Sequence, residues 1–284
     1  MKRVIIIGYG PAGISAAIYL KRAGVDSTVI GKDYGALEGY KDLIENYYGF
    51  GQPIEGESLI LEGINQAKRL GVEVITDSVI SLKQDESGFL VQTAHKLYQS
   101  QTVLLATGKT RQTLNIPGFI KYKGKGISMC ATCDGYFFRK KKLAVIGCGP
   151  YMLHELEYLN RISDDVTIYT HGQPFVSAVE HKIIDEKILE FIGEDRLTHI
   201  KTTQGTYPID GVFIAIGVPS SIDFASQLGV IVEKNNIVVD SSYQTNVEGL
   251  FAAGDIIGGK LQIAKAVYDG MQVSDSIYRY LKQK

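Results

Sequence analysis

At 284 residues, 45% of them apolar, the chain is long enough to build two globular domains around separate cores. Its formal charge of −1 comes from charges of both signs spread along the whole length, which excludes a global basic field for nucleic acid or for a membrane surface. Three cysteines are too few for a four-thiolate zinc site or an all-cysteine iron–sulfur cluster, so no metal is expected.

The opening "MKRVIIIG" passes directly into an apolar run, with no cationic leader, cleavage site or long hydrophobic stretch. A cytoplasmic protein that spans no membrane is expected from this. In that reducing compartment the spacing of Cys130 and Cys133 reads as a redox pair rather than a lasting structural disulphide.

Residues 3–24 predict a strand ("RVIII"), a glycine turn ("GYGPAG") and a helix ("ISAAIYLKRAG"), and "DSTVIG" predicts a second parallel strand. "TVLLATG" at 102–108 is an apolar strand ending in a small residue and glycine. The same grammar returns in "KLAVIG", "GCGPYM", "LHELEYLNRI" and "DDVTIYT", with "GVFIAIG" at 211–217 as the second copy of the late strand. Such a duplication predicts an α/β protein with two Rossmann-like nucleotide-binding domains. Because "GLFAAGDI" reads as a late element of the first domain, the second is expected to be inserted into it. The expected boundaries are 1–112 plus 218–284 for the outer domain and 113–217 for the inserted one, with crossings near "NIPGF" and "GVPSS".

In "GYGPAG", Gly8 permits the tight turn, Gly10 lets backbone approach a pyrophosphate, and Gly13 lets the helix pack close to the strand. The helix start offers free N–H groups and the positive end of its dipole to the phosphates. A bound dinucleotide is expected there. Asp33 lies at the distance where an acid holds the ribose; the alternative is a solvated loop aspartate.

In this order and at these separations, "GYGPAG", "LLATG", "CATCDG" and "GLFAAGD" resemble the low-molecular-weight thioredoxin reductases over nearly the whole chain. The resemblance implies FAD in the first site. Its expected contacts are Gly8, Gly10, Pro11, Ala12 and Gly13 of the turn, Asp33, Ala106 and Gly108 of "LLATG", and Gly254 and Asp255 of "GLFAAGD". Asp255 would bond the ribitol–phosphate region. The resemblance further implies Asn46 near the isoalloxazine ring and Gln262 at the flavin's pyrimidine edge, at a helix start. The arginine usual before that glutamine is Leu261 here. A homodimer is likewise implied.

Thiols at CxxC spacing close a small disulphide with little strain, and a nearby cation or helix start makes one of them a better nucleophile. By the resemblance, Cys133 meets the flavin, Cys130 attacks the disulphide of a protein partner, and Asp134 supplies and takes protons. The plainer readings are small buried hydrophobes for the cysteines and a cap for Asp134. Cys148, inside the second glycine turn, reads as a small turn residue.

The second turn departs from the family pattern. Met152 occupies the third glycine position, Pro150–Tyr151 replace a polar–hydroxyl pair, and His154 replaces a glutamate that faces the nicotinamide, while Glu155 stays. At the end of the next strand, where the family grips the 2′-phosphate of NADPH, stand His171, Gly172 and Val176. An NADH site would be expected to carry an acid there, and none lies between Tyr169 and Val179. A turn that no longer binds NADPH is expected, and the resemblance narrows to ferredoxin-dependent flavin thioredoxin reductases. A low-potential donor suits thioredoxin, whose couple lies at about −270 mV.

The expected activity is thus transfer of electrons from reduced ferredoxin through FAD and the Cys130–Cys133 disulphide to thioredoxin. Basic runs at 121–126 ("KYKGKG") and 139–142 ("RKKK") are candidates for steering ferredoxin, and the segments near 113 and 218 are candidate hinges. An NADH- or NADPH-dependent thioredoxin reductase and a non-enzymatic flavin redox sensor stay open as alternatives. A ferredoxin–NADP reductase is disfavoured by the CxxC.

Overall fold

β1 (Lys2–Ile7) shows no polar alternation because both its faces are covered: Val4 and Ile6 enter one core, Ile5 and Ile7 another. This computed structural model describes all residues except 1, 39–42, 110–113, 130, 176 and 217–220, with only the backbone of 2, 36, 132, 133 and 221. Two compact units emerge, Met1–Arg111 with Ser220–Lys284, and Gln112–Pro219. The segments near 113 and 218 expected to be hinges lie outside the described residues.

In unit 1, β1 is followed by α1 (Pro11–Arg22), β2 (Ser27–Gly31), α2 (Gly56–Arg69), β3 (Glu73–Thr76), β4 (Val79–Asp85), β5 (Gly88–Thr93) and β6 (Leu97–Leu105). The sheet runs β3-β2-β1-β6-β5-β4, parallel from β3 to β6 and antiparallel through the β6-β5-β4 meander. Helix α1 begins with Pro11 in its first turn, where a missing N–H costs nothing, and ends on Lys21 and Arg22, which suit the negative end of its dipole.

Unit 2 comprises α3 (Phe119–Tyr122), β7 (Ile127–Ser128), α4 (Ala131–Asp134), β8 (Leu143–Ile146), α5 (Pro150–Leu159), β9 (Val166–Tyr169), β10 (Lys182–Ile184), β11 (Ile188–Gly193), β12 (Leu197–Thr202), β13 (Thr206–Pro208) and β14 (Gly211–Ile214). Its main sheet runs β10-β9-β8-β14-β7, all parallel. β11, β12 and β13 form a separate antiparallel sheet. Unit 1 then resumes with α6 (Ser221–Gln227), β15 (Val232–Glu233), β16 (Asn236–Ile237), β17 (Leu250–Ala252) and α7 (Ile263–Gln283), and β17 adds to β6 in parallel. The α/β class with nucleotide-fold units expected from the sequence is the fold observed.

Register explains why motifs far apart in the chain meet. Ile7 pairs with Leu105, and Leu105 with Ala252, so Gly8, Ala106 and Ala253 continue side by side past the carboxyl ends of the strands. In unit 2, Ile146 pairs with Tyr169 and Ile214, and Phe213 with Ser128. The second glycine turn, His171 and the cysteine segment therefore also leave their sheet from carboxyl ends, the usual place for a site in an open parallel sheet.

Candidate functional site

At the first turn each glycine has its own steric reason. Gly8 has φ +108°, and a Cβ on it would stand 2.4 Å from the carbonyl oxygen of Ala106. A Cβ on Gly13 would stand 1.9 Å from the carbonyl oxygen of Gly8, so helix and turn touch backbone to backbone. Gly10 has open space where its Cβ would be, and as N-cap of α1 it makes no side-chain capping bond. The start of α1 thus carries no side-chain cap, and the space beside Gly10 is open. Pro11 and Ala12 form the first residues of α1, and Gly108 follows β6 with φ +65°.

Asp33 is exposed, and its Oδ1 accepts the Gly35 N–H at 3.0 Å. This contact holds the loop after β2 in place. Asn46 and Gln262 are brought together across 216 positions of chain, Nδ2 of Asn46 donating to Oε1 of Gln262 at 3.1 Å. Gln262 stands at the N-cap of α7.

Asp255 sits in the turn after β17, introduced by Gly254 with φ +84°. Its Oδ1 is buried with no hydrogen-bond partner. Burial pushes its carboxyl above the ordinary value, against the pull of Lys265 and Lys109 and with the help of Asp269. A buried acceptor without a donor is costly, and it suits a ligand hydroxyl.

Sequence reasoning missed the residues that hold this turn. Lys265 Nζ donates to the carbonyls of Gly254 at 2.9 Å and Gly258 at 2.7 Å and pairs with Asp269 Oδ2 at 2.7 Å. Asp269 Oδ2 accepts the Gly254 N–H at 3.0 Å, and its Oδ1 the Tyr243 hydroxyl at 3.2 Å. The lysine and aspartate stand one helical turn apart on α7, a spacing that was legible. Gly270 was missed too: a Cβ there would stand 2.3 Å from the Ala12 carbonyl oxygen, so its absence lets α7 close on α1.

In unit 2, Cys130 lies outside the described residues, and Cys133 is placed in α4 by its backbone alone. Asp134 is half-buried and accepts the Ser128 hydroxyl at 2.7 Å. The second turn repeats the backbone of the first. Gly147 has φ +155°, its Cβ would stand 2.2 Å from the Ala215 carbonyl oxygen, and Gly149 has open space. The side chains differ. Met152 is fully buried with its Cβ 2.9 Å from where a Gly147 Cβ would be.

His171 has φ +55°, and its Nδ1 accepts the Ile188 N–H at 3.0 Å, tying the end of β9 to the start of β11. Burial, with Lys187 nearby, lowers its affinity for a proton, in keeping with a ring nitrogen that accepts an amide N–H. Val176 lies outside the described residues. No helix of the described residues is long and apolar enough to cross a membrane.

Two glycine turns at the carboxyl ends of parallel strands, one beside a CxxC helix, define a nucleotide-binding disulphide oxidoreductase. Residues 2–270 match the pyridine nucleotide-disulphide oxidoreductase family. The chain is 34% identical to a thioredoxin reductase of Listeria innocua, over 99% of this chain and 94% of the relative. Among solved structures it is similar to the atypical thioredoxin reductase TRi of Desulfovibrio vulgaris Hildenborough, with TM-score 0.90 and 34% identity over 100% and 99% of the two chains. It is also similar to a ferredoxin-flavin thioredoxin reductase of Clostridium acetobutylicum, with TM-score 0.72 and 25% identity over 99% and 98%. The chain belongs to the pyridine nucleotide-disulphide oxidoreductase family, on its low-molecular-weight thioredoxin reductase branch. It is therefore a flavoprotein oxidoreductase.

Asp255 yields a pH prediction. Its folded-state affinity for protons is raised, so the folded protein binds the proton more tightly than the unfolded chain. Stability falls as pH rises through the window between the ordinary value and the raised one, and the cost persists at neutral pH. Asp255→Asn is expected to raise the melting temperature of the flavin-stripped protein at pH 7. The gain should shrink as pH falls through the ordinary carboxylate range and vanish at about pH 2.5, where the carboxyl is protonated in both states. The same variant should bind flavin more weakly in a fluorescence titration.

Proposed function

We propose that this chain is an FAD-dependent disulphide reductase that passes electrons through the Cys130–Cys133 couple to thioredoxin. The observation that carries the reading is the seat of the "CATCD" segment. It follows β7, its residues Ala131–Asp134 are wound into α4, and Asp134 is held by Ser128 at 2.7 Å.

The cradle of unit 1 fits FAD. Gly8, Gly10, Pro11, Ala12 and Gly13 would take its pyrophosphate against the start of α1, Asp33 its ribose, and Ala106, Gly108, Gly254 and Asp255 its ribitol side, with Asn46 and Gln262 at the ring. When bound, FAD would supply a two-electron store matched to a dithiol. Cys133 is then the thiol facing the cofactor and Cys130 the nucleophile toward thioredoxin. Asp134 exchanges the protons that opening a disulphide requires. A homodimer accords with the family resemblance.

For the electron donor, the comparisons back a pyridine nucleotide better than ferredoxin. The family is named for it, and the Listeria innocua relative is a plain thioredoxin reductase. The open space at Gly149 agrees. Ferredoxin is a second reading favoured by particular side chains. Met152 crowds the third glycine position, His171 is spent on bracing Ile188, and Thr170–Phe175 hold no arginine or lysine.

The side chains after β9 carry one expected outcome: NADPH reduces the flavin no faster than NADH, because a 2′-phosphate finds no arginine or lysine in Thr170–Phe175. An anaerobic titration followed by flavin absorbance, with NADH, NADPH and reduced ferredoxin in parallel, tests it. Bleaching by a nucleotide assigns that donor. Bleaching by ferredoxin alone assigns ferredoxin, and a marked preference for NADPH over NADH assigns NADPH and overturns the account of the second turn as lacking a 2′-phosphate clamp.

A further inference from the structure

One face of α5 grips the chain on both sides of Cys130. Tyr151 and Glu155 stand one helical turn apart and are 3% and 2% exposed. The Tyr151 hydroxyl donates to the carbonyl of Met129 at 3.4 Å, and the Ala131 N–H donates to Glu155 Oε2 at 2.7 Å. Met129 and Ala131 are the two chain neighbours of Cys130.

The Ala131 N–H opens α4 and has no carbonyl of its own helix to bond, so the carboxylate satisfies an amide that would otherwise be orphaned in a buried place. Hydrogen bonds from an amide to a carboxylate are of the strong, charge-assisted kind. A carboxylate withdrawn from water is expensive unless it is so engaged.

We infer that Glu155, assisted by Tyr151, is the positioning residue of the Cys130–Cys133 couple. The helix that a nucleotide site would aim at a pyrophosphate holds the backbone that sets how easily the two sulfurs close. Disulphide geometry is narrow, so a turn held in register favours the closed form, and a loosened one shifts the couple toward the dithiol. The inference rests on the proposed reading of this pair as a dithiol–disulphide couple.

The test uses the flavin-loaded protein in a Cys148→Ser background, equilibrated without oxygen in dithiothreitol buffers. In that exchange the protein S–S bond breaks as one forms in the reagent, two electrons and two protons passing from dithiothreitol to the protein sulfurs. Free thiols are tagged with a maleimide and counted by mass spectrometry. Glu155→Leu is expected to shift the equilibrium about tenfold toward the dithiol, about 30 mV. Glu155→Gln keeps an oxygen for the Ala131 amide and should stay within about twofold of the parent, and Tyr151→Phe should shift the couple about threefold in the same direction.

Glu155→Leu titrating with the parent would overturn the inference, as would Glu155→Gln shifting as far as Glu155→Leu, which would assign the effect to charge and not to the hydrogen bond. Where Glu155→Leu fails to fold, Tyr151→Phe decides, and no shift in it is fatal. A parent whose two cysteines never close on each other in any buffer brings down the underlying reading of the pair, an outcome distinct from the others.

Discussion

Cys133→Ser is expected to keep its flavin and to lose thioredoxin reduction by on the order of a thousandfold or more. The reason is the number of sulfurs. A disulphide needs two thiols at closable distance, and serine's hydroxyl neither forms the bond nor ionises near neutral pH. Cys148 is exposed in the turn between Gly147 and Gly149 and offers no equivalent spacing. Cys148→Ser should therefore leave turnover within about twofold of the parent, since an exposed turn residue away from the couple has little to lose. Steady-state reduction of thioredoxin with dithionite-reduced protein reads both variants without depending on the natural donor. Turnover surviving in Cys133→Ser, or lost in Cys148→Ser, would remove the couple from the centre of the function.

The second large effect separates two glycines a residue apart. Gly8→Ala puts a methyl 2.4 Å from the Ala106 carbonyl oxygen while forcing a side chain to φ +108°. Backbone strain and overpacking together are worth about 3 to 5 kcal/mol. This clash sits where β1 and β6 leave the sheet together, so neither strand can give way without losing its register. Gly10→Ala meets nothing within 4 Å. Its fold should be unharmed to within about 0.5 kcal/mol. Its methyl would stand where a pyrophosphate approaches the backbone, and flavin affinity should drop at least about tenfold. Urea denaturation and flavin retention on gel filtration, measured on both variants, separate folding from binding. Equal destabilisation of the two would show that the turn is built for packing alone.

The contrast between these glycines also shows how far the sequence carries. "GYGPAG" and "GCGPYM" were recognisable because a strand, a glycine turn and a helix start are local features: an apolar run without alternation, residues able to take positive φ, and a proline at the first helical turn. The cysteine pair and Asp134 were visible for the same reason, since their chemistry lies in spacing. The departures at Met152 and His171 were legible as missing residues. What those side chains do instead was not.

The chain alone thus determined that the segments around the glycine turns become strands and helices, where those turns fall and at what spacing the two cysteines stand, because each depends on neighbours within a few positions. Only the tertiary structure decided that Asn46 meets Gln262, that Lys265 and Asp269 clasp the turn of Asp255, that His171 braces Ile188 and that Glu155 receives the amide beside Cys130. Those contacts depend on which strands pair and in what register, because the pairing sets where the turns and helix ends that carry these side chains leave the sheets.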